Sequence, residues 1–356
     1  MQKNLVFILP NLAIGGAENM VYELCRNIDP STYNSSILCY GSKRNTALEK
    51  KMEALVPVTY LGLNARITLF DILRVLKELS RLNANIVHSH MGGTLFAALW
   101  TGIHRKPLVV TVHTTPEKAF SNKVKKVLKW RLKKPNCIIV AVSEKNKELT
   151  QKYYNLGTQC RCVNNGVDVD KFYRKQHDHF TYINVARQDD NKNQSMLLEA
   201  FQKVNQADEN TRLILIGDGP NHQKLVAMCK ELGTEKSVML PGNVPDVENY
   251  YSQADVYVQT SYREGLPLSV LEAMAAGLPI VSTDVGGLKD VVHENGVLIP
   301  AGDLLGLIAE MTRIKNMSVL ERNPMSIKSI KMVEQYSSSK MGLEYMKLYS
   351  EMMEEC

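Results

Sequence analysis

The chain has 356 residues, of which 44% are hydrophobic and 22% are charged, with 21 Gly and 13 Pro. These values exclude collagen-like, low-complexity and largely disordered proteins, and the length is about twice that of one typical domain, so two domains are expected. The net charge of +6 is unevenly distributed, because residues 1–175 carry a net +15 and the remaining residues carry −9. This asymmetry indicates that the first half faces an anionic partner.

Short β-branched runs alternate with longer segments of helical period, the pattern of parallel sheets covered by helices. In the first half we predict strands, in chain order, at Leu5–Leu9, Ile37–Tyr40, Asn85–His88, Leu108–His113 and Cys137–Ser143. Apolar residues at helical spacing, such as Val21, Leu24 and Ile28, predict helices between these strands. The first half therefore has the pattern of one doubly wound α/β unit.

The second half repeats the scheme from a new start. Its predicted strands are Phe180–Val185, Leu213–Ile216, Val238–Leu240, Val256–Gln259, Ile280–Thr283 and Gly296–Ile299. The turn-rich stretch 164–178 predicts the boundary, so we assign residues 1–170 to the first domain and 171–337 to the second. A C-terminal helix at about 338–356, with Met341, Tyr345 and Leu348 on its apolar face, is a candidate to pack back on the first domain.

The cysteine spacing and the hydropathy of the chain predict the cellular compartment in which the protein is found. The seven Cys residues are scattered without a zinc or disulfide pattern, which favours reduced thiols in a cytoplasmic protein. The apolar run before Pro10 is too short for a signal peptide, and no run approaches the 18 apolar residues of a transmembrane helix.

Gly15 and Gly16 follow the first predicted strand and open a helix. Glycines allow close approach of a ligand to the backbone, and a helix N-terminus attracts anions. The signal alone is weak, because the dinucleotide fingerprint G-x-G-x-x-G is absent and a tight structural turn is the alternative.

Arg187 and Lys192 lie between the strand Phe180–Val185 and the helical segment that begins near Met196. Cations at this position could bind a diphosphate, Arg through its planar fork and Lys as a point charge. The alternative interpretation is a solvated loop with two ordinary charges.

The segment from Arg263 to Pro279 is the most informative one. Pro267 is predicted at the first helical position, which places Glu264 in the preceding loop and Glu272 inside the helix. Because Glu272 lies among apolar residues, its carboxylate is expected to have a specific partner, such as a sugar or ribose hydroxyl.

These segments together resemble the retaining nucleotide-sugar glycosyltransferases of family 4, which have the GT-B fold of two Rossmann-like domains facing across a cleft. The matching motifs occur in family order, at 15–18, His113, 141–144, 164–172, 185–193, 215–220 and 264–287. The resemblance covers nearly the whole chain, and the last motif is highly specific.

The resemblance implies roles for individual residues. Gly15 and Gly16 would approach the donor phosphates or the acceptor, and His113 would contact the transferred sugar near the reaction centre. Arg187 and Lys192 would neutralise the diphosphate leaving group. The family commonly has Gly-Arg where this chain has Ala186-Arg187, a departure that we expect to matter little unless a phosphate must approach that backbone.

In the second domain, the resemblance implies that Glu264 holds the donor-sugar hydroxyls and Glu272 the ribose hydroxyls. Further donor contacts are implied for Gly265, Leu266 and Pro267, and for the base-binding loop residues Pro241, Gly242 and Asn243. Transfer with retention of configuration is implied, with a nucleoside diphosphate sugar as donor, UDP as the expected nucleotide, and no cofactor or metal.

Two patterns match metal-binding motifs. Asp168-Val169-Asp170 fits the D-x-D pattern of metal-dependent sugar transferases, but it follows the turn dipeptide Asn165-Gly166 at the domain boundary. His88 and His90, at the end of a predicted strand, are expected to line or support the cleft. We therefore predict no metal site.

Residues Lys118–Lys134 contain eight Lys and Arg and one Trp, with Phe120, Val124, Val127 and Leu128 at helical spacing. A helix with this apolar face could lie on anionic lipid; the alternative is a helix packed on the first sheet with a solvated basic side. The first interpretation predicts peripheral binding to the inner membrane face and a lipid-diphosphate-linked acceptor.

The sequence thus predicts a metal-independent glycosyltransferase that extends a glycan or lipid-linked precursor of a surface polysaccharide. The alternatives are a nucleotide-sugar epimerase of the same fold and a non-catalytic subunit of a transferase complex. Nucleic-acid binding is not expected, because no recognition motif accompanies the basic half.

Overall fold

The computed structural model describes residues 2–13, 15–64, 66–134, 136–157, 159–175 and 177–354. The chain forms two units, each with its own sheet. Unit 1 contains the residues up to 166 together with the C-terminal segment from 338, and unit 2 contains residues 167–337. Unit 1 is therefore discontinuous in sequence.

Unit 1 is built on a parallel sheet with the strand order β3-β2-β1-β4-β5-β6-β7. Its strands are β1 (Lys3–Leu9), β2 (Tyr33–Cys39), β3 (Val58–Tyr60), β4 (Ile86–His90), β5 (Leu108–Val112), β6 (Cys137–Ala141) and β7 (Cys160–Cys162). The central strands β4, β5 and β6 are buried at every residue, because helices cover both faces of the sheet. The three-residue edge strands β3 and β7 were not predicted from the sequence.

The helices of unit 1 connect these strands. They are α1 (Gly16–Asn27), α2 (Ala47–Glu53), α3 (Leu69–Arg81), α4 (Thr94–His104), α5 (Pro116–Ala119), α6 (Asn122–Arg131) and α7 (Glu144–Tyr154). Capping boxes fix the starts of α2 and α3: the side chains of Thr46 and Thr68 accept from the third helical residue, whose carboxylate accepts in return.

Unit 2 contains a second parallel sheet with the strand order β10-β9-β8-β11-β12-β13. Its strands are β8 (Phe180–Val185), β9 (Thr211–Ile216), β10 (Val238–Gly242), β11 (Val256–Gln259), β12 (Ile280–Thr283) and β13 (Gly296–Ile299). Its helices are α8 (Gln194–Ala207), α9 (His222–Glu231), α10 (Glu248–Tyr251), α11 (Leu268–Ala275), α12 (Leu304–Asn316) and α13 (Val319–Val333). The α/β, doubly wound fold class predicted from the sequence is confirmed.

In both sheets the strand order reverses beside the first strand of the unit. In unit 1 this point lies between β1 and β4, and in unit 2 it lies between β8 and β11. Because the loops at such a point leave the sheet in opposite directions, they form a crevice at the carboxyl ends of the strands. The candidate residues are therefore sought at these two edges.

The last helix, α14 (Ser338–Glu354), completes unit 1. Its predicted apolar face is buried, with Met341, Tyr345 and Leu348 each at most 5% exposed. Gly342 lies against α1, because a Cβ at this position would be 2.7 Å from the Cβ of Asn27. The structure thus places the C-terminal helix on the unit that contains the N-terminal residues.

The contribution of α14 to stability can be measured with two matched substitutions. Leu348→Ala removes a side chain that is 5% exposed, and we expect it to lower the free energy of unfolding by about 2–4 kcal/mol. Leu343→Ala makes the same change at a residue that is 62% exposed, and its expected effect is within about 0.5 kcal/mol. Denaturant titration of both variants measures the difference; equal losses would contradict this packing of α14.

Candidate active site

Arg187, Lys192 and Glu264 lie in two loops that follow the neighbouring strands β8 and β11. The first loop runs from Ala186 to Asn193 and the second from Thr260 to Pro267. Hydrogen bonds join the loops: the Thr260 hydroxyl lies 2.9 Å from the Lys192 carbonyl and 3.0 Å from the Asn193 carbonyl. The Asn191 amide donates to the Arg263 carbonyl (2.9 Å), and the Tyr262 N–H donates to the Asn191 carbonyl (2.8 Å). The two loops therefore hold each other in place.

An ion pair connects the two loops at their centre. The Lys192 Nζ lies 2.7 Å from Oε1 of Glu264, and the two side chains are 20% and 9% exposed. Because the pair is largely shielded from solvent, the attraction between its two charges is screened less than in a surface pair. The structure thus brings together Lys192 and Glu264, two predicted site residues that are 72 positions apart in the sequence.

The same carboxylate oxygen accepts a second hydrogen bond, from Nε2 of Gln259 at 2.7 Å. The Gln259 Oε1 in turn accepts from the hydroxyl of Tyr257 (2.7 Å), which lies 2.8 Å from the hydroxyl of Ser269. The Tyr257 contact fixes which way the Gln259 amide points. Glu264 Oε1 is therefore occupied by two donors, and Oε2 makes no hydrogen bond within the part of the chain that the structure describes.

Glu272 lies inside α11, between the buried residues Leu271 and Ala273. Its Oε2 accepts from the hydroxyl of Tyr251 at 3.0 Å, and the same hydroxyl is 2.9 Å from the Ser269 carbonyl. The expectation that a carboxylate in this apolar helix has a specific partner is met within the protein by Tyr251. Tyr251 was not predicted as a partner of Glu272, because a buried tyrosine has the sequence pattern of ordinary core.

Glycines bring the backbone of the following loop close to Glu264. Gly286 has a φ of +60°, and a Cβ at this position would overlap the Glu264 carbonyl oxygen. The N–H of Gly287 donates to the Gly265 carbonyl at 2.7 Å. The role of the glycines at the end of the 264–287 motif is thus to support the Glu264 loop.

Arg187 lies apart from the ion pair. Its side chain is 71% exposed, and Nε is 3.5 Å from Oδ2 of Asp189. Beside it, a Cβ on Gly217 would overlap the Ala186 carbonyl oxygen, so the 215–220 motif packs directly on this loop. The structure therefore leaves the Arg187 guanidinium accessible to a ligand from solvent.

Two predictions about local structure in unit 2 are wrong. Pro241 and Gly242 lie in β10 and not in a loop, which begins only at Asn243; the Gly242 carbonyl accepts from the Gly217 N–H at 2.9 Å, which extends the sheet. Pro267 precedes α11 as its N-cap, with a ψ of 128°, so the helix begins at Leu268. In the same loop, Leu266 is buried at 2% exposure.

In unit 1 the glycines lie where the sequence predicted them. Gly15 precedes α1 with an extended backbone and Gly16 is the first helical residue. No atom lies within 4 Å of a Cβ built at Gly16, whereas a Cβ at Gly15 would be 2.6 Å from Oε2 of Glu18. A side chain at Gly15 would therefore have to displace the carboxylate of Glu18, whereas one at Gly16 would meet no atom.

His113 follows β5 by one residue and is linked to the buried end of β4. Its Nε2 lies 2.9 Å from Nδ1 of His90, and burial lowers the pKa of His113 to about 4. Burial also lowers the pKa of His88 and of His90 well below the usual value of histidine. These imidazoles are therefore neutral at physiological pH.

The two ring nitrogens of His88 contact hydroxyl groups of the protein. Its Nδ1 lies 2.7 Å from the Tyr349 hydroxyl on α14, and its Nε2 lies 2.7 Å from the Thr111 hydroxyl on β5. Both ring nitrogens are thus engaged inside the core. Across the described residues, no group of three or more His, Cys, Asp or Glu side chains is arranged to hold a metal ion.

The basic segment is organised differently from the prediction. It forms two helices, α5 and α6, separated at Phe120 and Ser121, and the side chain of Lys118 lies outside the described residues. The apolar side chains expected to contact lipid, including Val124 and Leu128, pack into the core of unit 1, so that part of the membrane prediction is wrong. Helical spacing could not distinguish a core-facing stripe from a lipid-facing one.

The side of α6 that faces solvent is basic and carries one aromatic residue. Lys126 and Lys129 of α6 are exposed, as is Lys133, which follows the end of the helix, and Trp130 is 47% exposed beside Gly102 of α4. Ile103, the residue after Gly102, is 67% exposed. No helix among the described residues is long and apolar enough to span a membrane.

Two family models match the chain. The model described as "Glycosyltransferase Family 4" matches residues 14–171, and the model described as "Glycosyl transferases group 1" matches residues 165–331. Together the two matches run through both units and overlap only at the junction.

Curated relatives match parts of the chain. An uncharacterized glycosyltransferase of Methanocaldococcus jannaschii is 30% identical over 44% of this chain and 41% of its own length. The UDP-Gal:alpha-D-GlcNAc-diphosphoundecaprenol alpha-1,3-galactosyltransferase of Escherichia coli is 27% identical over 70% of this chain and 71% of its own. For the first four relatives, the chain spans 34–51% of their length.

Solved structures share the fold over nearly the whole chain. Anabaena HepE in complex with UDP-glucose has a TM-score of 0.84 at 18% identity, covering 98% of this chain and 99% of that one. This similarity confirms the predicted GT-B fold.

The close approach at Gly286 is testable with a matched pair of glycines. Gly286 and Gly233 both have positive φ values, of +60° and +68°, but a Cβ at Gly233 has no neighbour within 4 Å. Gly233→Ala introduces only backbone strain, for which we expect a loss of about 1–2 kcal/mol. Gly286→Ala adds overlap with the Glu264 carbonyl, and we expect a further loss of about 1–3 kcal/mol.

Denaturant titration of the two glycine variants gives the comparison. Because both variants carry the same backbone penalty, the difference between them isolates the contact with the Glu264 loop. Equal unfolding free energies would show that this loop has room to move away from Gly286.

Proposed function

The chain belongs to the family 4 glycosyltransferases of GT-B fold, and on that premise we propose that it transfers a sugar from a UDP-sugar to a glycan or lipid-diphosphate-linked acceptor during surface polysaccharide synthesis. The observation that carries this proposal is the Glu264 carboxylate, which has Oε1 occupied by Lys192 and Gln259 and leaves Oε2 to accept from a ligand. A fixed carboxylate with one available oxygen is suited to sugar hydroxyls, which are good donors.

The positive charges of Lys192 and Arg187 are suited to the same reaction. A lysine ammonium has three N–H donors, and the Glu264 contact uses one of them, so Lys192 can donate to a phosphate oxygen while it keeps the ion pair. Negative charge builds on the departing diphosphate in the transition state, and prearranged cations lower the energy of that state. We assign this role to Lys192 and, with its exposed guanidinium, to Arg187.

The remaining residues have roles at either end of the donor. Glu272, held by Tyr251, would bind the ribose hydroxyls, and the main chain of Gly242 and Asn243, with Pro241 beside them, would contact the base. Gly265 and Leu266 would present backbone N–H groups to the sugar and phosphates, and Pro267, which has no N–H group, would contact them through its surface. In unit 1, His113 would contact the transferred sugar and Gly15 and Gly16 the phosphates or the acceptor.

We further propose that transfer retains the anomeric configuration and needs neither a cofactor nor a metal. The cations named above stabilise the leaving group in place of the divalent ion that other sugar transferases use. The choice of UDP is supported by the UDP-glucose complex of HepE, and that of a lipid-diphosphate acceptor by the name of the Escherichia coli galactosyltransferase.

Nucleotide release with a panel of UDP- and GDP-sugars and lipid-linked acceptors tests the proposal. We expect Lys192→Ala and Glu264→Ala to lower turnover by at least about 100-fold with the fold intact, because each removes a charged group from the transition-state environment. Lys203→Ala, at an exposed position of α8, is the matched control and should retain wild-type turnover. Near wild-type rates for the site variants would contradict the assignment.

We also propose that the exposed basic side of α6 binds an anionic membrane surface at the cytoplasmic face. Exposed lysines attract anionic headgroups, and a tryptophan such as Trp130 is suited to the interface between lipid and water. In this orientation the apolar face of α6 remains in the core, and only its basic side and Trp130 meet the lipid.

Flotation with vesicles tests the membrane proposal. The triple charge reversal of Lys126, Lys129 and Lys133 to Glu should weaken binding to phosphatidylglycerol-containing vesicles by about 100-fold, since each basic residue contributes about 1 kcal/mol. Neither the wild type nor this triple variant should bind vesicles of phosphatidylcholine alone.

The control for net charge is the reversal of three exposed lysines of unit 2, Lys203, Lys230 and Lys236, to Glu. It changes the total charge equally and should leave vesicle binding near that of the wild type. Equal loss in both triple variants, or negligible binding of the wild type to anionic vesicles, would contradict a role for α6.

A further inference from the structure

His113 contacts the buried residue His90 through one of its two ring nitrogens. His90 is the last residue of β4 and is fully buried. Its Nδ1 lies 2.9 Å from Nε2 of His113, and its Nε2 is buried without a hydrogen-bond partner. If both imidazoles are neutral, one of these two contacting nitrogens carries a proton and donates it, and the other accepts the hydrogen bond.

The surroundings of His90 offer no hydrogen-bond partner to its Nε2. The ring of His88 lies beside it, tilted by 38° with a centroid distance of 4.2 Å, but both nitrogens of His88 are already bonded to Tyr349 and Thr111. The other neighbouring ring is Phe7, at 6.1 Å. A proton on Nε2 would therefore be a buried N–H donor without an acceptor.

An orphaned buried N–H is rarer in proteins than an orphaned acceptor. The proton of neutral His90 is consequently on Nδ1, and this N–H donates to Nε2 of His113. Since Nε2 of His113 accepts, the single proton of neutral His113 is on its own Nδ1. That nitrogen makes no hydrogen bond to any described residue.

We propose that His90 is a positioning residue, which fixes His113 as a neutral Nδ1–H donor toward an oxygen of the bound sugar donor. This inference rests on the proposed function and deepens it: His113 donates a hydrogen bond to a substrate hydroxyl or phosphate oxygen and does not act as a proton acceptor. The role follows from two residues separated by 23 positions that meet at the carboxyl ends of adjacent strands.

The tautomer can be observed without any substrate. In protein labelled with ¹⁵N-histidine, the His113 signals are identified by their loss in His113→Asn, and one-bond and long-range proton couplings show which nitrogen is protonated. We expect the Nδ1–H form of His113 in the wild type. In His90→Leu the constraint is removed, and His113 should shift toward the Nε2–H form that free neutral histidine prefers.

Turnover gives the second readout. His90→Asn can place an amide N–H near the position of Nδ1, so it should keep the Nδ1–H form of His113 and remain within about threefold of wild-type kcat. His90→Leu should lower kcat by about tenfold or more, the cost of one lost hydrogen bond in the transition state. Thermal unfolding midpoints of both variants establish that each is folded.

Either of two results would overturn the inference: an Nε2–H signal for His113 in the wild type, or equal kcat for folded His90→Leu and His90→Asn. The proposed function fails separately, by the absence of sugar transfer from the wild-type protein. In that case the ¹⁵N signals still decide whether His90 fixes the tautomer of His113.

Discussion

Each strand pairing that the structure describes is parallel, and this constraint determines where the functional residues lie. Parallel strands of one sheet end at the same edge, so residues distant in sequence meet there. In unit 1 this edge brings His90 next to His113, and in unit 2 it brings Lys192 next to Glu264. The contacts of both sites thus depend on the strand order, with β4 beside β5 and β8 beside β11.

Much of the fold could be predicted because the buried strands are continuous β-branched runs. The bounds of β8, β11, β12 and β13 agree with the prediction at both ends. The edge strands β3 and β7 were missed, since three residues are too few to show a period. The spacing of Val124 and Leu128 correctly predicted a helix. It did not show whether their side chains face lipid, as predicted, or the protein core, where they lie.

The site was predictable where a residue type is unusual for its position and not where it looks like core. Glu272 stands out as a carboxylate in an apolar helix, and Lys192 and Glu264, in the loops after β8 and β11, are identified by the family motifs that contain them. Gln259 and Tyr257, which are buried in β11, give no such signal, although they fix the orientation of Glu264. Such partnerships depend on side-chain directions, which only the folded chain defines.

The return of α14 to unit 1 has a consequence for synthesis on the ribosome. The hydroxyls of Tyr345 and Tyr349 that bond Thr111 and His88 are among the last parts of the described chain to be translated. Unit 2 is continuous in sequence, so it can complete its own contacts while unit 1 still lacks its final helix. The nascent chain therefore exposes the apolar surface beside β4 until translation reaches α14.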